Sequence, residues 1–598
     1  MYPLLLLVPL LAGGTLALLL GASSSSQRYS KYAAIAGSAA SSALVLYAIL
    51  FQPATQPSSL QWFTFGSYTF TLYFSLSSIN WLLLLLLSII TPLIFWYSAG
   101  YMNVPSEQAR YYFELSLFAA SMLLFAMSAD FITLFIAWVG LGITSYLLIG
   151  FWYHRSNPPY AARKAITTII IGDVFMLAGM LVIWNHYHTF TFSAIMSYLS
   201  GSSASAVPAA LSVGLAFVLL GAFTKSAQFP FHEWLSDAME GPTPVSAFLH
   251  SSTMVKAGVF LIALLLPLYE AAGLLNVILV IGIITTVLGA LNALSSRHLK
   301  KILAYSTIED LGIMFIALGL NALPAALLLF TVQTFYKALL FMSAGTIMKA
   351  NSDEVDIYRV KAFGRSRAIF IMALVGALSI AGIFPFSGFL GKASADAAAS
   401  SNLPVYVALT IVDFLTAMYI FRWLFVPMRQ QAESQSREVS TGYAATSINM
   451  TAPQVVLAVF VIGMTAVIML LPSRLPSYSA GLSGAAVESA AALTGVAAAY
   501  AIFKRAKSSV FSEKSKLRVF LSKGFFVNSA YDYAAIAAML AAGAVDTFDR
   551  GLDRFLYHGG AGIIGLGNAI RKAENGSVNV YLAALAIGLI FIIAILVL

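Results

Sequence analysis

The chain has 598 residues, of which 60% are hydrophobic and only 10% charged, and its mean hydropathy is +0.86. A soluble protein carries roughly a quarter charged residues, so a sizeable soluble domain is excluded and an all-α polytopic membrane protein is expected. The net charge of +9 is a matter of loop placement rather than of nucleic-acid binding, and the absence of cysteine excludes cysteine-ligated iron–sulfur clusters and thiol catalysis in this chain.

Apolar runs long enough to cross a bilayer fall near 2–22, 33–51, 74–98, 111–128, 131–152, 166–185, 208–228, 245–267, 273–294, 301–320, 323–348, 367–392, 403–426, 453–472, 481–503 and 579–598, sixteen in all. The first run lacks the basic flank of a signal peptide and is expected to be retained. With the N-terminus outside, basic residues from Arg28, Lys31 and Arg110 through Lys300, Lys301 and Arg367 to Lys523 fall in inward segments, whereas outward loops hold only Arg474. That asymmetry is what the positive-inside rule demands. The seven histidines show no metal-ligand spacing such as HExxH.

Some basic residues escape the loops. Lys225, Lys256, Lys337 and Lys392 lie inside the expected spans. A charge in lipid is costly, so an intramembrane lysine marks a functional site or a side chain snorkelling from a helix end. "FPFHEWL" at 229–235 is echoed by "FPFSGFL" at 384–390, each late in a span and beside a lysine. Five spans separate the copies, so the second is expected to run upside down, and breaks at Pro230 and Pro385 are expected to line polar cavities. His250 follows the first break. An imidazole can pass a proton through its two nitrogens, or simply rest on a backbone carbonyl.

"KSAQFPFHEWLSDAMEGPTPVSAFLHSSTMVKAG" (225–258), "LKKILAYSTIEDLGIMF" (299–315) and "FYKALLFMSAG" (335–345) resemble the antiporter-like proton-pumping subunits of respiratory complex I and of Mrp-type cation/proton antiporters. The tail, with "NSAYDYAAIAAMLAAGAVDTFDRGLDRFLYHGG", is similar to the distal (L, or chain 5) type, whose lateral helix precedes a last anchoring span. Residues 527–572 would reach roughly 70 Å if fully helical, or form an ordinary interfacial amphipathic helix. The resulting organisation is 1–110 (three spans), 111–267 (a five-helix repeat broken near Pro230), 268–430 (its inverted copy, broken near Pro385), 431–503 (two spans), 504–578 (lateral helix) and 579–598 (anchor).

The resemblance implies proton-translocating roles for Lys225, His250, Lys337 and Lys392, and Asp173 in "IIGDVFM" matches an acidic position of the distal type. It also exposes departures. Val139 stands where the family usually has a glutamate that partners the first lysine, Leu329 and Gln333 replace histidines, and Ala393 replaces an acid. Asp173 is therefore the first candidate partner for Lys225, ahead of Asp130 and Glu114, and Asp413 is the candidate for Lys392. Glu309 and Asp310 either serve Lys337 or pair with Lys300 and Lys301 at the inner face. Lys256 joins the candidates. The resemblance implies a subunit of a redox-driven translocase in a prokaryotic cytoplasmic membrane, with neighbouring membrane subunits as partners. It implies no cofactor in this chain, and iron–sulfur clusters, flavin and quinone in partner subunits. A sodium/proton antiporter subunit and a non-pumping scaffold are the alternatives.

Overall fold

The computed structural model describes residues 3–505, apart from 24, 52–57, 67, 77, 202–207, 361–366, 436–446 and 471–481. The expected lateral helix, beyond its first two residues, and the expected anchor at 579–598 lie outside the described residues.

Helices dominate. In chain order they are α1 (Val8–Gly21), α2 (Ser30–Phe51), α3 (Ser78–Tyr101), α4 (Pro105–Met127), α5 (Phe131–Ile149), α6 (Asn157–Tyr187), α7 (Phe192–Gly201), α8 (Ala209–Lys225), α9 (Glu233–Asp237) and α10 (Thr243–Ser251). They continue as α11 (Ala257–Leu264), α12 (Leu266–Ala271), α13 (Leu275–Ser295), α14 (Leu299–Gly319), α15 (Leu323–Ala350), α16 (Arg367–Ile380), α17 (Ser387–Ala399), α18 (Leu403–Gln435), α19 (Ile448–Leu470) and α20 (Leu482–Ala499). Among the described residues, twelve helical stretches are long and apolar enough to cross a membrane. Local chemistry sets their ends. Proline opens α4 and α15, where its missing N–H is no loss. The Asp130 carboxylate accepts from Ile132 N and Thr133 N and so caps α5.

Three features differ from the expected string of spans. Residues 58–74 form an antiparallel hairpin, β1 (Ser58–Phe65) and β2 (Tyr68–Phe74), turning at Gly66 with positive φ. Its end is tied to the α5 cap, where Tyr73 N donates to Asp130 Oδ1 at 3.1 Å. The short α7 follows α6 in a stretch that belongs to no expected span. The run read as one span at 245–267 is divided into α10, a 3-10 turn at Met254–Lys256, and α11. Thr253 causes that division: it leaves helical geometry (φ −123, ψ −120), and its hydroxyl donates back to Phe248 O at 2.6 Å. Hydroxyl side chains compete in this way with the helical ladder.

Both proline breaks are present. α8 stops at Lys225, and the chain turns through the Phe229–Pro230 cis bond into α9. α16 stops at Ile380, and the chain turns through the Phe384–Pro385 cis bond into α17. Between the breaks lie the most enclosed helices. The apolar window of α14 is 100% buried by protein, that of α15 94%, against 33% for α1. Gly289 lets α13 and α14 meet backbone to backbone, since a Cβ there would lie 2.6 Å from Glu309 N. The polar side chains of α14 and α15 thus face protein rather than lipid, the condition under which buried charge is tolerated.

Candidate functional site

The first site is assembled by α5, α6 and α8. Gly172 has no side chain, and a Cβ there would collide with Thr224, so α8 packs tightly against α6. That approach brings Lys225, the last residue of α8, to Asp173, the neighbour of Gly172. Lys225 Nζ lies 3.7 Å from Asp173 Oδ1, with the ammonium fully buried. It donates to Trp138 O at 2.6 Å and sits 4.5 Å from the Trp138 ring centroid, a cation–π contact. The Trp138 indole N–H donates to the same Asp173 Oδ1 at 2.7 Å. Trp138, adjacent to Val139, therefore holds both members of the pair. Asp130 is occupied by its cap and Glu114 by Arg110 at 2.7 Å, so neither serves Lys225.

The central site lies between α14 and α15. Lys337 Nζ is 3.1 Å from Asp310 Oδ2 and donates to Ser306 Oγ at 2.6 Å, with the pair fully buried. The Tyr336 hydroxyl donates to Asp310 Oδ2 at 2.9 Å. Lys256 reaches the same region from the break between α10 and α11. It donates to Phe330 O and, at 2.6 Å, to Thr334 Oγ1, so it is bound inside the protein and does not snorkel. His250 is buried, stacked on Phe341 with centroids 4.9 Å apart, and neither ring nitrogen has a hydrogen-bond partner among the described residues. It is not held by a backbone carbonyl. Its own carbonyl accepts from Gln333 Nε2 at 3.5 Å.

The third site lies at the second break. Lys392 Nζ is 2.9 Å from Asp413 Oδ1 and 3.9 Å from Glu309 Oε1, and Glu309 also accepts from the Thr416 hydroxyl. The two acids of α14 thus divide. Asp310 turns to Lys337 and Glu309 to Lys392, while Lys300 donates to Gly241 O and Lys301 to Asp237. The inner-face alternative for Glu309 and Asp310 is not what the structure contains. Trp138, Asp396 and Glu488 were not singled out from sequence. Asp396 and Glu488 are buried near Asp413 and Lys392, and a lone acid in an apolar run is the signal that could have found them.

Outside the spans, His298 caps α14. Its Nδ1 accepts from Lys300 N at 3.1 Å and Lys301 N at 3.4 Å, which requires a neutral ring nitrogen. Burial, aided by the Lys300 and Lys301 ammonium groups, pushes its pKa down to about 3.

A polytopic helical membrane protein with an enclosed series of lysines and acids between two helix breaks is the class that fold and site define. Residues 128–418, just under half of the chain, match the family described as NADH:quinone oxidoreductase/Mrp antiporter, TM. It is 36% identical over 392 residues to the NADH-quinone oxidoreductase subunit L of Campylobacter jejuni, covering 64% of each chain. It is 35% identical over 402 residues to the NAD(P)H-quinone oxidoreductase chain 5 of a Synechocystis species, covering 65% of this chain and 59% of that one. The matched region thus spans less than two thirds of these curated relatives. A chain in the structure of the Mrp complex from a Dietzia species shares the fold, with TM-score 0.76 at 24% identity over 91% of this chain and 60% of that one.

Proposed function

We propose that the chain is a proton-translocating membrane subunit of a complex I-like oxidoreductase, of the distal L or chain 5 type. The observation that carries the reading is the series of fully enclosed lysines, three of them with carboxylate partners, framed by the two proline breaks. Protons enter a half-channel in one repeat, pass along Lys225, Lys337 and Lys392, and leave through the other. His250 relays between the halves, and Asp173 does for Lys225 what the family's glutamate does. The flavin, iron–sulfur and quinone chemistry resides in partner subunits, and the assembly lies in a prokaryotic cytoplasmic membrane with the N-terminus of this chain outside. Moving one charge against 100 mV costs about 2.3 kcal/mol, which the electron transfer must supply.

The Asp173–Trp138–Lys225 arrangement also speaks against a scaffold that has lost transport, because the partner missing at Val139 is supplied from the next helix. The test is the purified complex in liposomes carrying Lys225→Ala, with protons counted per electron. The ratio falls if the lysine carries protons, and an unchanged ratio refutes its role. Sodium/proton exchange is the competing reading, since the family includes antiporters. A sodium gradient that drives proton movement without an electron donor would establish it.

A further inference from the structure

Glu488 lies in the apolar face of α20 and is 1% exposed, and neither carboxylate oxygen is hydrogen-bonded among the described residues. It points at the second break. A Cβ on Gly382, which holds φ +69 there, would lie 2.7 Å from Glu488 Oε1 and 3.4 Å from Lys392 Cδ. Asp413 Oδ1 binds the Lys392 ammonium, while its Oδ2 receives no donor among the described residues. Asp396, one turn beyond Lys392 on α17, is 4% exposed and carries its carboxyl beside Asp413. Glu309 completes the group from α14, and the Tyr406 phenol faces it from α18.

Four carboxyl groups therefore surround one ammonium. Buried carboxylates lose hydration and repel one another, and acids that share a site retain protons rather than all ionise. One ammonium compensates only one anion.

We propose that Glu488, Asp396 and Asp413 form a carboxyl cluster that stores exchangeable protons beside Lys392, with Glu488 the member contributed by α20. The inference rests on the proposed translocating function and adds to it a reservoir at one end of the lysine series. A proton passing Lys392 is then handed to an acid already hydrogen-bonded to it, and α20 becomes part of the path rather than a packing helix.

The charge count makes a signed prediction for infrared spectra of the full-length chain in lipid at neutral pH. Glu488→Gln and Asp396→Asn should each remove one equivalent of the deuterium-sensitive protonated-carboxyl band, because the number of anions stays matched to one ammonium. Lys392→Gln should add one equivalent, because the released anion takes up a proton. Glu488→Asp should keep the band at a shifted frequency. An unchanged band in Glu488→Gln overturns the proposal, as does a band abolished by sodium chloride but not by potassium chloride. If Glu488→Gln does not fold, the opposite signs expected from Asp396→Asn and Lys392→Gln still decide. The band is read without electron transfer, so its failure removes the store alone. An unchanged proton count in Lys225→Ala instead removes the translocating function and leaves the band result standing.

Discussion

Lys225 and Lys392 each sit beside a Phe–Pro break, yet their surroundings differ sharply. Lys225 has one carboxylate at 3.7 Å, a backbone carbonyl and an indole face. Lys392 has Asp413 at 2.9 Å, Glu309 at 3.9 Å, and Asp396 and Glu488 nearby. Lys256, at the central site, has only neutral hydrogen-bond acceptors, a carbonyl and a hydroxyl. The first lysine thus has one carboxylate beside it and the last has several. In a low-dielectric interior such an imbalance is settled by protons, because protonation is the least costly way to remove an unpaired charge. Asymmetry between similar breaks gives a proton a direction in which to be handed on.

The largest effect is expected at the centre, where the two halves meet. Asp310→Asn leaves Lys337 with only neutral acceptors, Ser306 and the new amide oxygen, and breaking a buried ion pair costs about 3–5 kcal/mol. Thermal unfolding in detergent should show the loss. The double change Lys337→Met with Asp310→Leu should recover much of the stability and none of the transport. Recovery of transport would mean that the pair is structural only.

Asp173→Asn tests the first break. It weakens a charged acceptor shared by Lys225 and the Trp138 indole, at a cost of about 1.5–3 kcal/mol. Adding Val139→Glu to Asp173→Ala should restore transport if a carboxylate on either helix can answer the lysine. Failure of that rescue would show that the geometry of Trp138 matters more than the charge. Gly172→Val separates α6 from α8, and overpacking of this kind costs about 1–3 kcal/mol. It should mimic Asp173→Asn in proton counts although no charge changes.

Much of this was legible in the sequence, for a simple reason. A charged residue in an apolar run has few innocent explanations, so the lysines, Asp173 and Asp413 stood out, and the Phe–Pro echo located both breaks. Trp138 did not stand out, because an aromatic residue in an apolar helix is ordinary and its backbone carbonyl carries no sequence signal. The break after His250 was equally silent: "HSSTMVK" has neither proline nor glycine, and only the Thr253 bond to Phe248 O reveals it. The hairpin was readable in principle, since "LQWFTFGSYTFTLYF" alternates around a glycine, but its hydrophobicity ran into the next span. Glu488 was readable too, as the one acid in its span.

The smallest predicted effect lies outside the membrane. His298→Ala removes the α14 cap and should cost about 0.5–2 kcal/mol, whereas His298→Asn keeps an acceptor and should cost less. The folded ring stays neutral down to about pH 3, against 6.5 for an ordinary histidine. Between those values the unfolded chain binds a proton that the folded chain refuses. This contribution to stability is therefore complete above the ordinary value and drains away as pH falls towards the folded one. His298→Asn should flatten that acid dependence in melting curves, and an unaltered slope would assign it to other groups.

The central claim is that the enclosed lysines carry protons between the two helix breaks. Its most direct test is the number of protons moved per electron by the reconstituted complex carrying Lys337→Ala, with the partner subunits verified to be present. Electron transfer should persist while the ratio drops. A ratio equal to that of the unaltered complex would contradict the account.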